Sequence, residues 1–396
     1  MKKYLLIFFL PFFLICAYTG SAQAQGNIHL GKLEVHPGLN LGYTYSDNIN
    51  QESTAAKASD QHPKESIIEV TPGVELRFPT SNHMFRLGYN LSVFDFLERG
   101  ETDYKSSAMG SLEFNFPVGL ILRLNDNYAQ RVFPTLQLQD QSGIVKYWEN
   151  DGFGEIGYTL TQRWSVSGRY KNQMLRFQNL TPYDRDVNSG GVALFMRMMT
   201  RLSLFGEAWY GKVGYKESAS NGQDASYIQG FLGLGGRVSP KTNFTFKVGG
   251  EHRTYQDFNN FPDTNQPIVS LELEEKPTTH FSFSLNGSRS VNETVYENNS
   301  YYISTGGGAN FTYTMLRMLS LGADISYFLL QYDKANNSAP AVKRSDKILQ
   351  VSPSVKVDIT RWLRAQAGYT LSNRSSNVDY YHYKENRIAA SLNAVL

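Results

Sequence analysis

LEVHPGLNLGYTYS, residues 33–46, alternates in character at every step. Leu33, Val35, Pro37, Leu39, Leu41, Tyr43 and Tyr45 are apolar or aromatic, and Glu34, His36, Gly38, Asn40, Gly42, Thr44 and Ser46 are polar or small. Successive side chains of an extended strand point to opposite faces, so this pattern gives a strand with one greasy and one wet face. The next run repeats it. Ile68, Val70, Pro72, Val74, Leu76 and Phe78 oppose Glu69, Thr71, Gly73, Glu75 and Arg77.

Sixteen further runs continue the pattern to residue 396, for about eighteen strands. Most exceed the five or six residues usual in soluble sheets and reach the length a tilted strand needs to cross a bilayer. Short turns at 79–83, 117–119, 161–163, 198–201, 239–242, 276–278, 315–318 and 359–361 alternate with longer polar links such as 47–65, 131–146, 216–225, 256–266 and 333–346. That asymmetry predicts an antiparallel up-and-down outer-membrane barrel with periplasmic turns and external loops. A bladed propeller has a similar repeat length but divides it into four short strands, whereas each unit here holds two long ones.

Aromatic placement agrees. Tyr89, Tyr170, Tyr210, Tyr327 and Tyr369 follow short turns, while Trp164, Phe85, Phe244 and Phe281 lie beside them. Strand rise and tilt separate the two sets by roughly 20 Å along the membrane normal, which suits two interfacial girdles. Ile388, Ala390, Leu392, Ala394 and Leu396 make an apolar stripe like the terminal strand read by the outer-membrane assembly machinery.

Ahead of the strands, Lys2 and Lys3, the apolar run 4–17 and Ala22-Gln23-Ala24 read as a signal peptide over 1–24, leaving 25–396 as the barrel. A lipoprotein reading at Cys16 stays open, with Ile15 standing where a small residue is wanted. Cleavage at 24 removes the only cysteine and two of 38 basic residues, leaving 36 against 36 acidic ones. Disulfides, thiolate chemistry and a basic nucleic-acid footprint are thereby excluded. The first strand starts too soon after the cleavage site for the globular plug of a TonB-dependent transporter.

No catalytic, cofactor or metal motif emerges. The seven histidines show no ligand spacing, and Gly306-Gly307-Gly308 lies inside a strand pattern rather than opening a helix, which argues close packing or a bend. Glu251/His252/Asp257 and Asp379/His382 are the two places that imitate a rim enzyme's site. Val35-x-Pro37, Val70-x-Pro72 and Val351-x-Pro353 place proline inside strands, where bulges are expected.

Function then rests on the wet face. The pore-lining residues expected from it are Glu75, Arg77, Arg86, Arg123, Glu155, Arg169, Lys171, Glu207, Trp209, Arg237, Lys247, Glu251, Arg253, Asp324, Lys356 and Arg364. Their signs are mixed, so no single-sign selectivity field is expected. Phe153, Trp209, Phe231 and Phe328 share this parity, and rings on a lumen can stack on sugars unless a bulge turns them outward.

LEVHPGLNLGYTYSDNIN (33–50), IIEVTPGVELRFPT (67–80) and YWENDGFGEIGYTLTQRWSVSGRY (147–170) resemble the outer-membrane β-barrel porin family associated with exopolysaccharide biosynthesis clusters. Pro37, Asp47 and Asn48 match that family's proline-led first strand ending in Asp-Asn. The resemblance implies a channel without catalytic residues, embedded in outer-membrane lipid. It also implies export of an exopolysaccharide or capsular polysaccharide made by a flippase–polymerase pathway, with the polymer and periplasmic export components as partners. A general diffusion or sugar-uptake porin fits the same wall, and a rim enzyme is the third reading.

Overall fold

The computed structural model describes residues 28–53, 63–133, 144–217, 223–257, 261–295, 299–335 and 342–395. The signal-peptide assignment, Cys16 and Leu396 lie outside these. The strands are β1 (Ile28–Leu30), β2 (Leu33–Ser46), β3 (Glu65–Pro79), β4 (His83–Phe96), β5 (Glu101–Asn115) and β6 (Leu120–Arg131). They continue with β7 (Tyr147–Thr159), β8 (Trp164–Phe177), β9 (Arg185–Met199), β10 (Leu202–Tyr215), β11 (Ala225–Ser239), β12 (Thr242–Tyr255) and β13 (Thr264–Glu275). The last six are β14 (Phe281–Glu293), β15 (Tyr301–Thr314), β16 (Leu319–Ala335), β17 (Lys343–Asp358), β18 (Leu363–Ser376) and β19 (Tyr383–Val395).

Each of β2 to β19 pairs antiparallel with its sequence neighbours, and β19 closes on β2 from Arg387↔Ser46 to Val395↔Gly38. The wall is therefore a closed barrel of eighteen strands. Closure removes the unpaired edges that lipid cannot satisfy. The extra β1, which periodicity did not suggest, is a three-residue flap hairpinned onto β2 through Leu30↔Leu33.

Alternation holds all the way round. Leu41, Ile68, Leu87, Ile156, Val192, Leu232, Val248, Ile325, Ile388 and Leu392 are exposed on the outer face, as are Tyr89, Tyr170, Tyr210, Tyr327 and Tyr369. Several of these tyrosines keep the phenol partnered: Tyr170 donates to Asn188 Oδ1 and Tyr369 to Asn386 Oδ1. Near the turns, Phe85 packs edge-on against Phe78 and Phe114. A second ring group forms from Phe281, Phe283 and Phe311.

The prolines correct one expectation. At Pro72 and Pro353 the strands do not bulge. β3–β4 pairing runs to Val70↔Val93 and resumes at Gly73↔Asn90, and β17–β18 pairing runs to Val351↔Leu371 and resumes at Ser354↔Gly368, with unchanged register in both. A missing N–H removes ladder bonds without adding a residue. The preceding residue closes each gap on the inner side: Thr71 Oγ1 meets Ser92 Oγ at 2.7 Å, and Ser352 Oγ meets Thr370 Oγ1 at 3.1 Å. Pro37 stays in register opposite Val74, beyond the last described β19 pair. The register shifts that do occur lie at Leu202/Ser203, Arg237/Ser239 and Gln331/Ala335, all at strand ends.

The buried apolar clusters sit at the loop end, on the inner face. Tyr302, Leu330 and Tyr332 form one buried group, and Val213, Ala225, Tyr255 and Phe261 another. Ile49, Ile67, Phe96 and Val132 form a third. In the fourth, Val295 beyond β14 packs on Tyr147, Leu175 and Phe177 of β7 and β8. From β8 to β14 is six of eighteen strand steps, a third of the circumference, so this segment crosses the mouth rather than hugging its own wall. Polar contacts hold it there. Glu293 accepts from Arg253 of β12 and from Tyr215 of β10 at 3.4 Å, and Gln223 Nε2 donates to the Asn299 carbonyl at 3.0 Å.

The inward lean has a counterpart in the wall. β13 pairs with β12 as far as Thr264, yet its ladder to β14 stops at Val269↔Arg289. Pro267 cannot donate to β14, and its carbonyl is taken by Arg289 Nε at 3.1 Å.

Candidate functional site: the inner wall

The pairing register puts all sixteen expected residues on one face, opposite the exposed apolar stripe. Glu34 lies across from Arg77, Arg77 from Arg86, Arg123 from Glu155, and Glu155 from Arg169. Glu207 lies across from Phe231, Trp209 from Gln229, Glu251 from Gln229, Asp324 from Asn310 and Arg364 from Asp358. The four aromatics that a bulge could have turned outward also stay on this face, because no shift occurs within their strands' middles.

Across the turn-side half the charges join into a belt of alternating sign. Arg123 lies 3.6 Å from Glu113 and 3.1 Å from Glu155, and Arg169 bridges Glu155 at 2.9 Å and Glu207 at 2.8 Å. Lys247 ends the belt 3.7 Å from Glu207. Glu75–Arg77 at 2.7 Å and Arg364–Asp358 at 2.6 Å are smaller local pairs. Among the described residues Arg86, Lys171, Arg237 and Lys356 have no carboxylate within 4.0 Å.

Aromatic rings run beside the belt on the wall from β7 to β12. Lys171 Nζ sits 4.6 Å from the Trp209 ring centre, Lys247 Nζ 4.7 Å from Phe231, and Arg169 5.3 Å from Phe195. Cations over ring faces are attracted by the π quadrupole. Glycines give the rings room to lie flat. A Cβ at Gly191 would collide with Trp209, and one at Gly306 with Phe328. The Gly306–308 run is thus a packing device, as its place inside a strand suggested, and Gly307 likewise abuts the Asn286 carbonyl.

Sequence reading missed the densest charge cluster. Asp346 accepts from Arg344 and from Arg374, its Oδ2 lying 2.8 Å and 2.5 Å from their Nη2 atoms, and Arg344 also stacks on Tyr332 and Tyr381. Nearby, Arg387 pairs with Glu385 at 2.7 Å, and Glu385 accepts from Ser46. The signal was present, since these residues continue the inner parity of their strands. Arg344 and Asp346, however, fall within the stretch expected to be a polar link, 333–346.

The rim-enzyme geometry does not form at β12. Glu251 faces inward and accepts from Gln229 and Arg253, whereas the His252 ring bonds Asn265 Oδ1 on the outer face. Adjacent residues of one strand cannot converge. At Asp379/His382 the contact is backbone, His382 N–H to the Asp379 carbonyl.

No curated protein matches the sequence. Among solved structures, OccK2 (OpdF) of Pseudomonas aeruginosa, described in complex with glucuronate, is similar with TM-score 0.51 at 10% identity, covering 94% of this chain and 100% of that one. OccK9 (OpdG) of the same organism gives 0.49 at 10% identity, with 92% and 98% covered. OccAB3 of Acinetobacter baumannii gives 0.48 at 11%, with 92% and 99% covered. At such identities the likeness is one of fold alone. The family model described as "Putative beta-barrel porin 2" matches residues 170–395, more than half of the chain. This chain belongs to that family and is an outer-membrane β-barrel porin.

Proposed function

We propose that this porin passes carbohydrate, and that its cargo is an exopolysaccharide or capsular polysaccharide moving outward. The carrying observation is the ring strip on the inner wall. Phe153 on β7, Phe195 on β9, and Phe231 and Tyr227 on β11 are half-buried rings spread along this wall, interleaved with Arg169, Lys171 and Lys247. Tyr227 and Phe231 are about 13 Å apart along their strand at the usual rise. Rings at such spacing offer repeated weak contacts to the apolar faces of a sugar chain, and the mixed charges and hydroxyls meet its polar edges.

Two classes of partner come with this reading. The assembly machinery takes β19 as its terminal strand, and periplasmic export components deliver the polymer to the turn end. The crossing of the mouth at Val295 favours a second reading, uptake of small sugars, because a polymer passes only when the β14–β15 end swings aside. OccK2's complex with glucuronate is in keeping with that alternative. Deletion separates the two. Loss of the barrel is expected to abolish surface polysaccharide and leave growth on small sugars unchanged. Persisting surface polymer with impaired sugar uptake would replace export by uptake.

A further inference from the structure

Within the ring strip, one part of the wall is built differently from the rest. A cavity of about 350 Å³ opens there, lined among others by Phe153, Arg169, Lys171, Glu207, Phe231 and Lys247, with Trp209 also in its wall. That volume lies in the range of small-molecule sites. Its charges do not cancel. Arg169 is matched by Glu155, at 2.9 Å outside the cavity, and shares Glu207 with Lys247. Lys171 is exposed to the lumen, lies across from Phe153, and rests on the Trp209 ring. It has no carboxylate within 4.0 Å among the described residues. The lining therefore carries three cations against one carboxylate, all close to aromatic surface.

We propose that this cavity is a binding subsite for a singly charged acidic sugar residue, a uronic acid unit, with its carboxylate received by Lys171 and Lys247 and its ring against Phe153. Counting Glu155, which pairs with Arg169, beside Glu207 leaves one net positive charge, which matches a single carboxylate. An ammonium over a ring is a movable charge on a flexible stem, so Lys171 can follow a carboxylate along the wall without leaving the aromatic. Gly191 holds the platform by leaving space for Trp209 to lie flat. The assignment rests on the carbohydrate reading above and narrows it to acidic polymers.

Purified wild-type barrel in a planar bilayer tests this, with current block titrated by oligogalacturonate, neutral malto-oligosaccharide, a sulfated oligosaccharide and free acetate. Oligogalacturonate is expected to block at the lowest concentration. Lys171→Gln is expected to weaken that block roughly tenfold, the size of one charge-assisted hydrogen bond. Lys171→Arg should retain most of the block, and the neutral sugar should be unaffected by either change. Heat-dependent gel mobility of each variant confirms that the barrel has formed. Oligogalacturonate block equal in wild type and Lys171→Gln would overturn the subsite and leave carbohydrate passage standing. Block by acetate as strong as by the oligosaccharide would also overturn it, showing attraction of charge alone, and stronger block by the sulfated sugar would do the same. No block by any saccharide would overturn the subsite and the carbohydrate reading together.

Discussion

The two ends of the inner wall obey the same alternation and reach opposite outcomes. At the turn end Arg77, Glu113, Arg123 and Arg364 stand in water, with Arg364 52% and Asp358 36% exposed in their side chains. At the loop end Arg344, Asp346 and Arg374 are at most 1% exposed. Residue type does not distinguish them. The difference comes from the connections: turns of two to five residues cannot reach over the mouth, whereas segments such as the one carrying Val295 lay apolar side chains across it. Charge that stands exposed on the inner wall at one end becomes structural packing at the other. An ion pair's role in a barrel therefore depends on what covers it.

The largest effect is expected at the buried triad. Asp346→Ala leaves two buried guanidiniums without their shared carboxylate, and should cost about 3–5 kcal/mol. A lower temperature for the heat-dependent gel shift would register it, and an unchanged transition would mean that this end is wetter than its burial indicates.

Val295→Asp comes next. Removing a buried valine from Tyr147, Leu175 and Phe177 costs about 1.5–3 kcal/mol of burial and places a carboxylate in an apolar group. Unit conductance should rise as the β14–β15 end detaches, and unchanged conductance would show that the pore is set elsewhere. Gly191→Val should cost about 1–3 kcal/mol by forcing Trp209 off its platform, with a shift in tryptophan emission. Gly214→Ala, where an added Cβ meets nothing within 4 Å, is the control and should leave both stability and emission unchanged. The smallest effect belongs to the turn end, where Arg364→Ala should change stability by about 0–1 kcal/mol, as exposed pairs do. A loss as large as that of Asp346→Ala would erase the distinction between the ends.

Much of this molecule was legible in its sequence, because period two is a direct physical consequence of a strand lying between lipid and water. Leu41 and Ile388 face out and Arg123 and Glu155 face in for the reason that parity states. Strand ends were less legible. Arg344 and Asp346 fall within the polar link expected at 333–346, since Lys343-Arg344-Ser345-Asp346-Lys347 carries no hydropathy contrast. The proline positions misled for a different reason: Thr71 with Ser92 and Ser352 with Thr370 are cross-strand pairs, so the device that replaces a bulge lies far apart in sequence. Parity also cannot show that the loop end of β14 parts from β13 while staying paired with β15. Pro267 was the available sign, because a proline whose missing donor faces β14 ends that ladder.

The central claim is that this closed wall encloses a wet passage narrowed at its loop end, and single-channel recording in a planar bilayer under a salt gradient tests it most directly. Wild-type barrel is expected to conduct in discrete steps with little preference between cation and anion, because the Glu113-to-Lys247 belt alternates in sign. Val295→Asp is expected to conduct in larger steps with the same weak preference. Silence from both proteins, each shown to be folded by its gel shift, would contradict the account and leave a plugged barrel in place of a channel.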